Sequence, residues 1–154
     1  MVLVNNYKKD DVINKNILSL YLLNGVKKEQ FNLYFLNFTK KSIKTKAVFT
    51  KYFKDKNNPF GVNLHLNSAL SIVSQSLVVF FCLKDKKTKK ELGEVISKRF
   101  SIFTKKPILI KNKPVICEVK VKNIGEHRLG KEYNLEYSLN ANCFVGEITV
   151  IVKE

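Results

Sequence analysis

The chain has 154 residues, of which 45% are hydrophobic, so it can bury the core of one domain and is too apolar for a disordered segment. Lys and Arg total 28 against 13 acidic residues, a formal net charge of +15, which favours anionic partners over cationic ones. Nearly all of the cations are lysines. Because the chain is also rich in Asn, Ile and Phe, the bias of an AT-rich genome is a second explanation of this charge.

The cysteines, the apolar runs and the first residues of the chain together predict where the protein is located. Cys82, Cys117 and Cys143 form no C-x-x-C pair and only two histidines are present, which argues against a zinc site and predicts reduced thiols in a reducing compartment. No apolar run reaches the roughly 18 residues of a membrane span, and the first residues lack a signal peptide pattern. We therefore expect a cytoplasmic protein with one domain over residues 1–154 and residues 1–16 as a possible N-terminal extension.

Apolar residues alternate with polar ones in segment after segment along the chain, the pattern of half-buried strands. Residues 67–75 alone could be helical, whereas the continuous apolar run 77–83 predicts a central strand buried on both faces. About eight short, evenly spaced strands are typical of an all-β fold, and we predict an eight-stranded antiparallel β-sandwich. The candidate strands are 17–23, 31–38, 43–53, 60–66, 77–83, 92–96, 108–110, 114–121, 133–139 and 144–152.

Three passages carry a resemblance to a known family. The first is KTKAV at 44–48 with NPF at 58–60 and VNLHL at 62–66, the second is LVVFFCLKD at 77–85 with LGEV at 92–95, and the third is GEITVIV at 146–152. In this order they resemble the C2 domain, a β-sandwich best known for calcium-dependent docking to phospholipid. Residues 103–142 match that family poorly, and no role is assigned to them or to residues 1–16.

The resemblance implies a domain without calcium. The family's third-loop aspartates fall on Cys82, Lys84 and Lys90, and its first-loop aspartate falls near Glu29. Calcium needs several anionic oxygen ligands at once, and these replacements do not supply them. We expect no metal and no cofactor.

Two lysine clusters are the predicted anion-binding residues. One cluster occupies the loop where a C2 relative would hold calcium, and lysines there would attract anionic headgroups by about 1 kcal/mol each. In the other, Lys44 and Lys46 share one face of a strand because side chains alternate. Solvated loops and a lysine-protected sheet edge are the alternative explanations. The predicted residues are Lys40, Lys41, Lys44, Lys46, Lys84, Lys86, Lys87, Lys89 and Lys90.

No catalytic motif is evident in the sequence. G-x-S-x-G, Walker and H-E-x-x-H patterns are absent, and His65 and His127 have no evident partner. Cys143 beside Asn142 is better explained as a core residue than as a nucleophile.

The sequence therefore predicts a non-catalytic, calcium-independent C2-like module. It would bind anionic membrane phospholipid or an acidic protein partner, at the cytoplasmic periphery of a membrane. Two alternatives stay open: a ribosomal or other nucleic-acid-associated basic protein, and a structural subunit of a larger assembly.

Overall fold

The computed structural model describes residues 7–14, 30–51, 63–86 and 95–153. These residues form seven strands and one helix. In chain order they are β1 (Gln30–Thr39), β2 (Ser42–Lys51), α1 (Leu66–Lys84), β3 (Val95–Phe100), β4 (Phe103–Thr104), β5 (Val115–His127), β6 (Gly130–Leu139) and β7 (Phe144–Lys153).

All the strands belong to one antiparallel sheet. Its order is β1-β2-β5-β6-β7-β3, with β4 paired to β7, and every ladder is antiparallel. The largely β composition was therefore predicted correctly. The eight-stranded sandwich was wrong, because a helix, and not a second sheet, covers the apolar face of the sheet.

Helix α1 is the element that the sequence assigned wrongly. The predicted strand 77–83 is its C-terminal half, and the helix suspected at 67–75 is its N-terminal half. A short continuous apolar run does not distinguish a buried strand from a buried helix. By length and composition α1 could also cross a membrane, but 67% of its apolar window is buried inside the protein, as in the core helix of a folded domain.

Five of the predicted strands coincide with observed ones, namely β1, β2, β5, β6 and β7. Their alternation is visible in β6, where Tyr133, Leu135, Tyr137 and Leu139 are buried against the helix and Glu136 is exposed. Residues 92–96 overlap the beginning of β3, and 108–110 contribute only a single bridge to Asn63. The candidate 17–23 and residues 60–62 of the candidate 60–66 lie outside the described residues, while residues 63–66 form a single bridge and the beginning of α1 and not a strand.

A small polar contact joins the helix to the sheet inside the core. The hydroxyls of Thr45 and Ser76 lie 2.8 Å apart, and Ser76 also donates to the Ile72 carbonyl at 2.7 Å. Burial beside this pair raises the pKa of the Cys117 thiol to about 12, although hydrogen bonding to both hydroxyls opposes the shift. Cys117 is thus a packed, protonated thiol.

The thiols should therefore react in a definite order. We expect a thiol reagent at pH 8 to modify half-buried Cys143 of the native protein first, while Cys82 and Cys117, both fully buried, wait for unfolding. Mass spectrometry of pulse-labelled protein with and without denaturant gives the order of labelling, and equal native labelling of Cys117 and Cys143 would contradict it.

The buried thiol of Cys117 also makes stability depend on pH. Because folding raises the pKa of Cys117, the stability that its proton contributes is intact below about pH 8.5 and declines as the pH rises towards 12.

Candidate functional site

Helix α1 begins without a side-chain cap. His65 precedes the helix in extended conformation, its side chain makes no capping hydrogen bond, and the first turn carries no acidic residue. The first N–H groups of a helix have no acceptor within it, and they carry partial positive charge. This end of α1 can therefore hold a polarised or anionic oxygen.

A neighbouring segment holds the helix start in place. The Leu64 N–H donates to the Ile108 carbonyl at 2.7 Å, and Asn63 pairs with Leu109. Ile108 is buried, whereas Leu109 is 39% exposed and Leu66 is 49% exposed. The helix start thus lies on a fixed frame beside exposed apolar side chains.

Asn63 presents an unused hydrogen-bond acceptor at this place. Its Oδ1 is buried and has no hydrogen-bond partner among the described residues. Such an atom costs about 1–3 kcal/mol, and a bound N–H donor would remove that cost.

The imidazole of His65 belongs to the residue directly before the helix. His65 and Asn67 are exposed, and the Ser71 hydroxyl donates to the Asn67 carbonyl at 2.9 Å. Residues 63–84 contain no carboxylate and a single histidine, so in this stretch of chain His65 is the side chain suited to accept a proton. No three His, Cys, Asp or Glu side chains in the described ranges come together as a metal site.

The predicted lysines on β1 and β2 lie away from the helix. Lys40 and Lys41 form the exposed turn between the two strands, and Lys44 and Lys46 point to the outer face of β2. Lys46 is ion-paired with Asp10 and lies 5.1 Å from the centre of the Tyr34 ring.

The second predicted cluster is only partly described. Lys84 ends α1, where its Nζ donates to the Tyr133 hydroxyl at 2.8 Å, so Lys84 is a packing residue and not a loop residue. Lys86 is exposed, and Lys87, Lys89 and Lys90 lie outside the described residues. Anion binding by the two clusters stays a prediction.

The residues of the helix start were not among the site residues predicted from the sequence. Asn63 was counted only as part of a strand, and His65 was dismissed for want of a partner. The helix suspected at 67–75 was the signal that could have identified His65. A histidine directly before a helix lies at the positive end of the helix dipole, where anionic groups bind.

Comparison with known proteins gives a match in structure but not in sequence. No family model matches the chain, and no curated protein matches it. The protein smu.793 of Streptococcus mutans, solved with acetyl CoA bound, has a TM-score of 0.53 at 13% identity over 79% of this chain and 89% of its own. The PaaI protein of Escherichia coli has a TM-score of 0.52 at 7% identity over 77% and 82%. Thioesterase HI1161 of Haemophilus influenzae has a TM-score of 0.50 at 18% identity over 78% and 77%.

The shared architecture is the hotdog fold, in which one antiparallel sheet wraps a long helix. It is the fold of the thioesterase superfamily. At these identities the likeness establishes the fold of the chain and not its activity.

The C2 resemblance is therefore wrong. The passages that suggested it are short, and the one at 77–85 belongs largely to a helix, where no C2 strand is available. The prediction of a non-catalytic C2-like module is wrong too, since several of the similar structures are named thioesterases. The expected phospholipid or acidic protein partner is wrong on the same ground, since acetyl CoA is bound in one of those structures.

The location was predicted correctly only in its coarser form. A cytoplasmic protein agrees with the fold and with the free thiols of Cys82, Cys117 and Cys143. Attachment to the periphery of a membrane has no support in the described residues.

Proposed function

We propose that this protein binds an acyl thioester of coenzyme A and hydrolyses it to a carboxylate and a free thiol. The observation that carries the proposal is the uncapped start of α1 beside exposed His65 and the unpaired Oδ1 of Asn63. The hotdog fold supports it, because the protein with acetyl CoA bound has the same architecture.

The proposed reaction uses the helix start to stabilise charge. The thioester carbonyl oxygen accepts hydrogen bonds from the first N–H groups of α1, which also stabilise the oxyanion of the tetrahedral intermediate. One such donor accounts for a factor of about 10²–10³ in rate. Helix α1 suits this task because burial fixes its direction before substrate binds.

His65 supplies the proton transfers. The imidazole accepts a proton from water as the water oxygen attacks the carbonyl carbon. When the C–S bond breaks, the departing thiolate takes that proton and leaves as the thiol, and the carboxylic acid then loses its proton to water and becomes the carboxylate. A positioned base of this kind contributes about 10²–10⁴-fold.

Other residues would orient the substrate. The Oδ1 of Asn63 accepts an N–H from one of the amides in the pantetheine arm of coenzyme A. The exposed side chains of Leu66 and Leu109 provide an apolar surface for the acyl group, and burying its methylenes there contributes about 0.8 kcal/mol each.

The test is thiol release from acyl-CoA substrates of increasing chain length. We expect His65→Ala to lower kcat/KM about a hundredfold while the unfolding transition stays in place. His127→Ala is the matched control, because that histidine lies at the far end of β5, and it should keep full activity. If the parent protein releases no thiol above the uncatalysed rate from any of these substrates, the proposal is wrong.

A further inference from the structure

An apolar and a cationic side chain follow one another on the segment that holds the helix start. Leu109 forms a bridge with Asn63 and is 39% exposed, and Lys111 is exposed as well. Ile108 and Ile110, which flank Leu109, are buried. This alternation of burial places Leu109 and Lys111 on one outward face, as in an extended segment, where such residues are about 7 Å apart.

The backbone around Lys111 is held in place. The Lys113 N–H donates to the Ile110 carbonyl at 3.4 Å, which closes a turn over Lys111 and Asn112, and Asn112 has a positive φ of 56°. The buried side chain of Ile110 anchors the start of this turn. Since the backbone is already ordered, a ligand that binds Lys111 has only its side chain to immobilise.

The ammonium group of Lys111 has no carboxylate beside it in the chain. Residues 63–84 and 101–114 contain no acidic side chain, and Lys111 forms no ion pair with any residue that the structure describes. By contrast, Lys98 and Lys122 on the sheet are each paired with a glutamate. Lys111 is therefore available to a carboxylate that a ligand brings.

The order of these groups along the segment indicates what kind of ligand would fit. The Leu64 N–H donates to the Ile108 carbonyl, so the segment adjoins the start of α1. A ligand whose carbonyl lies at the helix start meets the apolar side chain of Leu109 first and the ammonium group of Lys111 next. An acyl group with a carboxylate at its far end matches this order, because its methylenes gain from contact with Leu109 and its carboxylate from contact with Lys111.

We infer that Lys111 selects acyl thioesters whose acyl group ends in a carboxylate, the acyl groups of dicarboxylic acids. This inference rests on the proposed function, because hydrolysis at the helix start is what places the thioester carbonyl there. Lys111 is a specificity-determining residue and not a catalytic one. It holds the far end of the acyl group equally in the ground state and the transition state, so it lowers KM and leaves kcat unchanged.

The test compares thioesters of equal length that differ in the terminal carboxylate, namely adipoyl-CoA with hexanoyl-CoA and suberoyl-CoA with octanoyl-CoA. We expect the parent protein to prefer the dicarboxylic member of at least one pair about fivefold in kcat/KM, as an exposed ion pair allows, with the difference in KM. Any contact of a lysine with coenzyme A itself cancels in this ratio, because both members carry coenzyme A. Higher salt concentration should reduce the ratio.

Substitutions of Lys111 then assign the preference to this residue. Lys111→Gln should lower the ratio to about one, whereas Lys111→Arg should keep it because the positive charge stays. Lys41→Gln is the matched control, since it removes the same charge from the exposed turn between β1 and β2, and it should keep the ratio of the parent.

The outcomes separate this inference from the proposed function. If the parent hydrolyses both members of each pair with equal kcat/KM, or if Lys111→Gln keeps the preference, the inference is wrong and the proposed hydrolysis stands. If the parent hydrolyses none of the four thioesters, the proposed function is wrong, and the inference that rests on it is wrong as well.

Discussion

Replacing Phe81 by alanine should lower the free energy of unfolding by about 3–5 kcal/mol. Phe81 is 0% exposed, and its ring lies 5.1 Å from that of Phe80 and 5.0 Å from that of Tyr133 on β6. The alanine leaves a cavity between α1 and the sheet and removes two aromatic contacts. Urea denaturation followed by circular dichroism measures the loss.

Val78→Ala is the control in the same helix. Val78 is only half-buried, so its loss should cost clearly less than that of Phe81. A stronger variant, Phe81→Asp, should yield no soluble protein because it buries a charge without a partner. If Phe81→Ala unfolds at the same urea concentration as the parent, then the helix does not form the core described here.

Gly146→Ala should destabilise the protein by about 3 kcal/mol. A Cβ at this position would overlap the Ser101 carbonyl oxygen and lie 2.5 Å from the Tyr137 hydroxyl. The Tyr137 hydroxyl donates to that same carbonyl at 2.6 Å, so the added methyl group separates β7 from the chain after β3 and breaks this bond. Because one of the overlapping atoms belongs to the backbone, rotation of a side chain cannot relieve the clash.

Gly125→Ala tests whether loss of a glycine matters by itself. Gly125 also lies in a strand, β5, but an added Cβ there meets nothing within 4 Å. We expect a change within about 0.5 kcal/mol. Equal effects of the two substitutions in thermal unfolding would contradict the close approach at Gly146.

The strands could be predicted because their signal is local. Every second residue is buried from Tyr133 to Leu139 in β6 and from Phe144 to Val150 in β7, and this period of two is readable from neighbouring residues alone. The same reasoning failed at Val79, Phe80 and Phe81, which are consecutive and all buried. Such a run fits a buried strand or a helix surrounded by a sheet, and β-propensity favours the wrong choice.

The candidate site could not be predicted in this way. His65 and Ile108 are 43 positions apart in the numbering, yet the Leu64–Ile108 hydrogen bond brings their segments together. Neither histidine lies in a sequence motif. The role proposed for His65 as a proton acceptor therefore depends on its position at the positive end of a helix, which the sequence does not show. The lysine clusters were chosen from the sequence because they are dense in lysine, and density along the chain does not indicate which residues meet at the helix start.

The sequence by itself determined the strongly basic character, the absence of cysteine pairs close in sequence and the five strands signalled by alternating apolar residues. Those properties depend on composition or on residues next to one another. Only the tertiary structure decided that a helix fills the sheet, that the fold is a hotdog and not a C2 sandwich, and which polar groups meet at the helix start. These depend on contacts between distant segments, because an apolar run becomes helix or strand according to what buries it.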